Sequence, residues 1–254
     1  MRFASLGSGS KGNGTLVATT DSLLLIDCGF SLRESERRLR QLGVEPGDID
    51  AILVTHEHSD HASGVARLSR RYQIPVYLTH GTYSSGRLAD CYQIHCFNSG
   101  QQFCVGGISV QAVAVPHDAR EPCQYRFSAG GQHLGVLTDL GSITPHVIDH
   151  YSGCHGLLLE FNHDLDLLRH GPYPEALKRR VAGDWGHLNN QQAAELLAAI
   201  AGRELRYLVL GHISEQNNTT EAAAAALMQV YGELDERVVF ADQAGGFGWL
   251  ELSA

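Results

Sequence analysis

Short apolar runs rich in leucine and β-branched residues recur along the chain, and several stop abruptly at polar side chains. Runs at 2–6, 15–19, 23–26, 49–55 and 76–78 read as strands, as do those at 109–115, 156–159, 207–210, 238–241 and 247–252. Residues 103–108 read as a hairpin, and 124–128 with 133–137 as a second one turning at Gly130-Gly131. Helical spacing predicts helices over 31–42 behind a capping serine, over 62–71 and 173–181, over the alanine- and leucine-rich 190–201, and over 220–231. Residues 83–96 read as helix and then strand. Strands therefore come in clusters, with helices between the clusters. That order predicts an α+β fold of sheets packed together with helices outside, not a regular βαβ wheel. No low-complexity linker or internal repeat divides the sequence, so residues 1–254 are expected to form one domain.

Composition narrows the class without naming a chemistry. Hydrophobic residues make up 43% and charged residues 19%, an ordinary globular balance. The formal net charge of -9 argues against a broad basic nucleic-acid surface, though not against a local one. Residues 1–14 lack the apolar core of a leader peptide, and no apolar run approaches the ~20 residues a spanning helix needs. A cytoplasmic protein with no membrane association is expected. Cys28, Cys91, Cys96, Cys104, Cys123 and Cys154 form no CxxC pair, so reduced thiols are expected and a zinc–thiolate site is not.

The chemistry lies where strands stop. The run 52–55 ends in His56, His58, Asp60 and His61, and three other runs end at His117, Asp139 and His212. Crowding imidazole and carboxylate groups at the ends of buried strands is costly unless a cation sits among them. Strand ends on one edge of a sandwich converge, and these nitrogen and oxygen ligands suffice for two divalent ions roughly 3.5–4 Å apart. A thiolate-free set suits Zn2+, Mn2+ or Fe2+. Gly7, Gly9 and Gly12 match GxGxxG, but a strand pattern follows where a dinucleotide site needs a helix. Its reading is a glycine-rich turn, structural or bordering the site, whose amides and small hydroxyls contact an anionic substrate.

Thr55-His56-Glu57-His58-Ser59-Asp60-His61 resembles the HxHxDH signature of metallo-β-lactamase-fold hydrolases, along essentially the whole chain. The resemblance implies a four-layer αββα sandwich. It implies one metal on His56, His58 and His117, a second on Asp60, His61 and His212, and Asp139 bridging. Residues 7–13, 116–119, 138–141, 160–164 and 210–214, with Asn217 and Asn218, are similar to the YycJ (WalJ-like) branch. That branch is associated with phosphodiester hydrolysis, including 5′-to-3′ exonuclease action on double-stranded DNA. One departure is Asn189 in Gly186-His187-Leu188-Asn189-Asn190, where the branch usually has serine. No nucleic-acid-clamping insertion of the β-CASP type lies between Asp139 and His212.

Roles follow from that set. Asp60 is expected to ligate and to orient the nucleophile; His187 and His163 are the candidates for protonating the leaving group or binding phosphate. Ser10, Lys11, Asn13, Asn162 and Asn217 are the candidate substrate contacts, and DNA is the expected partner. Lys178, Arg179 and Arg180 read as phosphate contacts or as a solvated helix face. Asp118 and Glu160 read as partners of imidazoles or as ordinary caps. A small cyclic or nucleotide phosphodiester, or a glyoxalase II-like thioester, is the alternative substrate. A non-catalytic metal protein is disfavoured because no ligand position is vacant. A di-iron redox role would need an electron-carrying partner, and no flavin domain is fused here.

Overall fold

A computed structural model describes residues 1–252. Strands β1 (Arg2–Gly7), β2 (Gly14–Ala18), β3 (Leu23–Ile26), β4 (Ala51–Leu53), β5 (Pro75–Thr79) and β6 (Gln93–Phe97) lie side by side in chain order. A late strand, β14 (Phe247–Glu251), returns to pair antiparallel with β1 and makes this sheet seven-stranded. The second sheet, also seven-stranded, holds β7 (Gln102–Val105), β8 (Ile108–Ala114), β9 (Cys123–Ala129), β10 (Gln132–Leu137), β11 (Gly156–Glu160), β12 (Tyr207–Gly211) and β13 (Val238–Phe240).

Alternation explains how the sheets meet. Phe3, Val17, Leu24 and Ile26 of the first sheet face Val110, Tyr125, Phe127, Leu134 and Val209 of the second in a buried layer. The opposite face of the first sheet packs on α1 (Leu32–Gln41) and α3 (Val65–Tyr72) through Leu16, Leu25, Leu39, Ile52 and Leu68. The opposite face of the second packs on α5 (Pro145–Tyr151), α8 (Asn190–Ile200) and α9 (Thr220–Tyr231) through Val147, Leu157, Leu196, Leu197, Leu210 and Leu227. The four-layer αββα sandwich implied by the sequence is the one observed.

Strand direction places the polar ends. β1 is antiparallel to β2 and β2 to β3, whereas β3 and β4 run parallel, so β1, β3 and β4 all finish on one edge. In the second sheet β8 and β10 share a direction through β9, and β10, β11 and β12 are parallel, so these four also finish together. Both sets of carboxyl ends open onto the same cleft.

The structure departs from the expected elements where the site begins. The expected strand 49–55 is cut to Ala51–Leu53, because the Thr55 amide turns away to donate to Asp27 Oδ1 at 2.8 Å. The expected helix 62–71 is split into α2 (Ser59–Ala62) and α3, since Gly64 presses on Phe30 and gives its amide to Cys28 O. In 83–96 the helical part shrinks to α4 (His80–Ser84) before β6. Two short helices, α5 and α6 (Leu165–His170), carry too few turns to show a period and were not anticipated. Asn189, where the branch usually has serine, caps α8 in a reciprocal capping box with Gln192.

Gly29 shows how tightly the layers are drawn together below the site. A Cβ there would stand 1.8 Å from the carbonyl oxygen of Asp60 and 2.9 Å from the Asn13 amide. Gly29→Ala should therefore lower stability by about 3 kcal/mol or more, read as the midpoint of denaturant unfolding. A midpoint equal to wild type would show that the Asp60 turn yields freely.

Candidate metal centre

The turn after β4 carries His56 and His58, and α2 carries Asp60 and His61 one helical turn on. Residues beyond β8, β10 and β12 supply His117, Asp139 and His212. Ligand-competent atoms of His56, His58 and His117 lie within 4.8 Å of one another, as do those of Asp60, His61 and His212. Asp139 stands between the groups, with Oδ2 3.2 Å from His61 Nε2 and Oδ1 3.8 Å from His117 Nε2. A further grouping joins Asp139 and His212 to Glu160 and His187.

Each ring is held from behind. His61 Nδ1 bonds Asp27 Oδ2 at 2.8 Å, and Thr55 Oγ1 bonds the same carboxylate. His56 Nδ1 meets Thr55 Oγ1 at 2.9 Å. His117 Nδ1 donates to Gly186 O at 3.0 Å, and His212 Nδ1 to Thr138 O at 2.6 Å. His187 Nδ1 lies 2.7 Å from Glu160 Oε1, while Oε2 accepts the Leu140 and Leu188 amides. His58 is the exception, facing His117 through Nδ1 at 3.3 Å. Such contacts fix which nitrogen is presented forward. The backbone bends to match. Asp27 and His212 adopt left-handed φ of 59° and 52°, a strain residues other than glycine sustain only when neighbours hold them.

The charges divide by what each buried ring faces. Burial, reinforced by the surrounding rings, holds His56 well below its ordinary value and therefore neutral. Burial also opposes the charged forms of His61 and His212, but the facing carboxylates win. His61 rises well above its usual value against Asp139, Asp60 and Asp27, and His212 rises to about 9 against Asp139, Glu160 and Asp60. Asp60, Asp139 and Glu160 are correspondingly held down, against burial, by the histidines beside them.

Two atoms test whether this set suits a cation. His56 Nε2 and Asp139 Oδ2 are buried without a hydrogen bond, and both belong to the donor groupings. Buried acceptors without donors are costly, and a divalent ion among them removes that cost. The residues fit a nitrogen- and oxygen-ligated divalent metal.

The other expected site residues separate. Ser10 and His187 line the cleft, which measures about 370 Å³. Lys11 pairs with Glu215 at 2.6 Å. Asn13 is buried, bonding Gly9 in both directions and reaching His61 Nε2 at 3.1 Å. Asn162 is buried too and donates to His212 O. His163 and Asn217 are fully or almost fully covered. Burial lowers His163 to about 4; its Nδ1 faces Asn162 Oδ1, and its Nε2 has no hydrogen-bond partner. Arg180 pairs with Asp118, which in turn approaches His58 and His117. Asp27 was missed altogether. It sits at a strand end like the ligands, and that position was the available signal.

Three comparisons bear on this geometry. The β-lactamase superfamily domain matches residues 23–213. The exodeoxyribonuclease YycJ of Bacillus anthracis is 36% identical over 238 residues, covering 92% of this chain and 90% of that protein. The exodeoxyribonuclease WalJ of Streptococcus pneumoniae strain D39 is 34% identical over 241 residues, covering 92% and 89%. Among solved structures, the metallo-β-lactamase fold protein YhfI of Bacillus subtilis superposes with a TM-score of 0.75 at 16% identity, over 98% of this chain and 99% of that one.

Protons and metal compete for the same rings. His61 and His212, with raised values, carry protons at pH 7.5 in the metal-free protein, and both must lose them to ligate. Zinc binding should release protons, and zinc affinity should climb as pH rises from neutral towards 9. Titration calorimetry in buffers of different ionisation enthalpy measures the release; affinity flat between pH 6.5 and 9 would contradict it.

Proposed function

The chain belongs to the β-lactamase superfamily in its metallo-β-lactamase-fold form, and on that premise we propose that it is a two-metal phosphodiesterase degrading DNA from its ends, 5′ to 3′. The observation that carries the reading is the donor set itself: two triads with Asp139 between them, and with His56 Nε2 and Asp139 Oδ2 buried without a hydrogen bond. His56, His58 and His117 would hold one ion, Asp60, His61 and His212 the other, and Asp139 both. Zn2+ suits these ligands best, with Mn2+ or Fe2+ also compatible. Two divalent ions bound there supply Lewis acidity toward a phosphoryl group and acidify water. The relatives named as exodeoxyribonucleases, matched along nearly their whole length, support DNA as the substrate.

The protein's own groups then divide the work. Asp27, Thr55, Gly186 and Thr138 keep the imidazoles aimed, so no reorganisation is needed when substrate arrives. Glu160 fixes His187 through Nδ1 and leaves Nε2 as the nitrogen available to the cleft. There it delivers a proton to the departing sugar oxygen, which is too basic to leave unassisted. Buried His163, low in pKa and facing Asn162, is better placed to brace the His212 turn than to exchange protons with substrate.

The test uses metal-reconstituted protein on end-labelled duplex DNA beside bis(p-nitrophenyl) phosphate and a thioester. Asp139→Ala should lose about 10²-fold or more on both phosphodiesters; full-rate cleavage by that variant would sink the two-metal reading. Turnover of the thioester alone would remove the nuclease assignment, and rates on DNA should fall steeply with added salt. His187→Ala should lose about 10²-fold or more on DNA. It should lose far less on the nitrophenyl diester, whose leaving group needs no proton. Equal losses on the two would take the proton-donor role from His187.

A further inference from the structure

The helix α7 (Glu175–Val181) stands apart in how it uses its apolar residues. None of its residues is buried. Leu177 and Val181 are nevertheless spaced to share one face of the helix, Tyr173 stands just before its N-cap Pro174, and all three line the cleft that holds His58, Asp60, His187 and His212. A helix that keeps its apolar stripe out of the core and turns it toward the reacting groups is built to cover something that arrives there.

The stripe is firmly placed. The His187 amide donates to Val181 O at 2.9 Å and the Gly186 amide to Gly183 O at 2.8 Å, so the helix end is tied directly to His187. Gly186 O accepts from His117 Nδ1. A Cβ on Gly186 would meet Arg180 O and Val181 O at 2.2 Å, so this turn tolerates no side chain. Charge completes the wall. Arg180, on α7, and Arg87, which bonds Glu57 O, also line the cleft.

We propose that Tyr173, Leu177 and Val181 form the nucleoside wall of the site. The sugar and base of one nucleotide would lie on it, with the scissile phosphodiester at the donor cluster and neighbouring phosphates toward Arg180 and Arg87. The proposal deepens the phosphodiesterase reading above and rests on it. The occupant is set by continuity with that site and by charge: an apolar, aromatic strip flanked by guanidinium groups matches a base and sugar carried on phosphate. A cleft of about 370 Å³ is of the size that takes a ligand as small as one nucleotide.

The experiment compares two diesters with a common leaving group on the metal-reconstituted full chain: thymidine 5′-(p-nitrophenyl phosphate) and methyl p-nitrophenyl phosphate. Wild type should prefer the thymidine ester, mainly through KM. Tyr173→Ala and Leu177→Ala should each shrink that preference by roughly ten-fold, the scale of a lost base stack, while Tyr173→Phe keeps it. Tyr92→Ala, an exposed tyrosine away from the cleft, should leave the preference unchanged. A preference untouched by both alanine variants, or no preference in wild type, overturns the wall. If wild type hydrolyses neither ester, the phosphodiesterase reading fails. The wall is then decided by equilibrium binding of thymidine 5′-phosphate against deoxyribose 5-phosphate to the same metal-loaded protein. Tighter binding of the nucleotide that Tyr173→Ala abolishes supports the wall, and equal binding overturns it.

Discussion

An imidazole is fixed on a shared point when its other nitrogen is occupied, and for every ring of this centre but His58 the occupying groups come from within the sandwich. Asp27 lies behind His61, Glu160 behind His187, and the carbonyls of Gly186 and Thr138 behind His117 and His212. The two carboxylates are themselves tied down: Asp27 by the Thr55 amide and hydroxyl, Glu160 by two backbone amides. The strand directions, the truncated β4 and the left-handed turns at Asp27 and His212 all serve to bring such pairs into line. Local strain at two residues is tolerated because several hydrogen bonds fix each of them.

The carboxylates do more than orient. They outweigh burial at His61 and His212 and hold those rings protonated when nothing else is bound. The metal-free centre is thus a compact network of ion pairs. Protons stand in for cations among the same acids, which explains how so many ionisable groups stay buried without forcing the fold open.

Much of this was legible in the sequence, for physical reasons. Strands that end in ligand-type residues are visible because burial and metal chemistry use different side chains, so the switch from Val54 to His56 is abrupt. His56, His58, Asp60, His61, His117, Asp139 and His212 all arrive at one cleft edge, as the pattern of strand endings suggested. Asp27 escaped notice because a single aspartate before Cys28-Gly29 looks like an ordinary turn, and only the parallel pairing of β3 with β4 reveals what it faces. Asn13, Asn162 and Asn217 were legible as polar residues near the site but not as buried ones, since burial depends on which loop covers which. The role of α7 was hidden for the opposite reason: an apolar spacing on a helix reads as core, and here it faces the cleft.

The glycine-rich turn after β1 is fastened from far along the chain. Gln243 accepts from the Lys11 amide and donates to Gly12 O, Asp242 O accepts from the Ser8 amide, and Ser8 Oγ accepts in turn from the His212 amide. β1 itself gains its outer neighbour only when β14 pairs with it. During synthesis, then, every metal-competent side chain leaves the ribosome before the clasp that sets this turn. A nascent chain displays the histidines of the centre before it can fasten the edge of the cleft, because that edge needs residues 242–251.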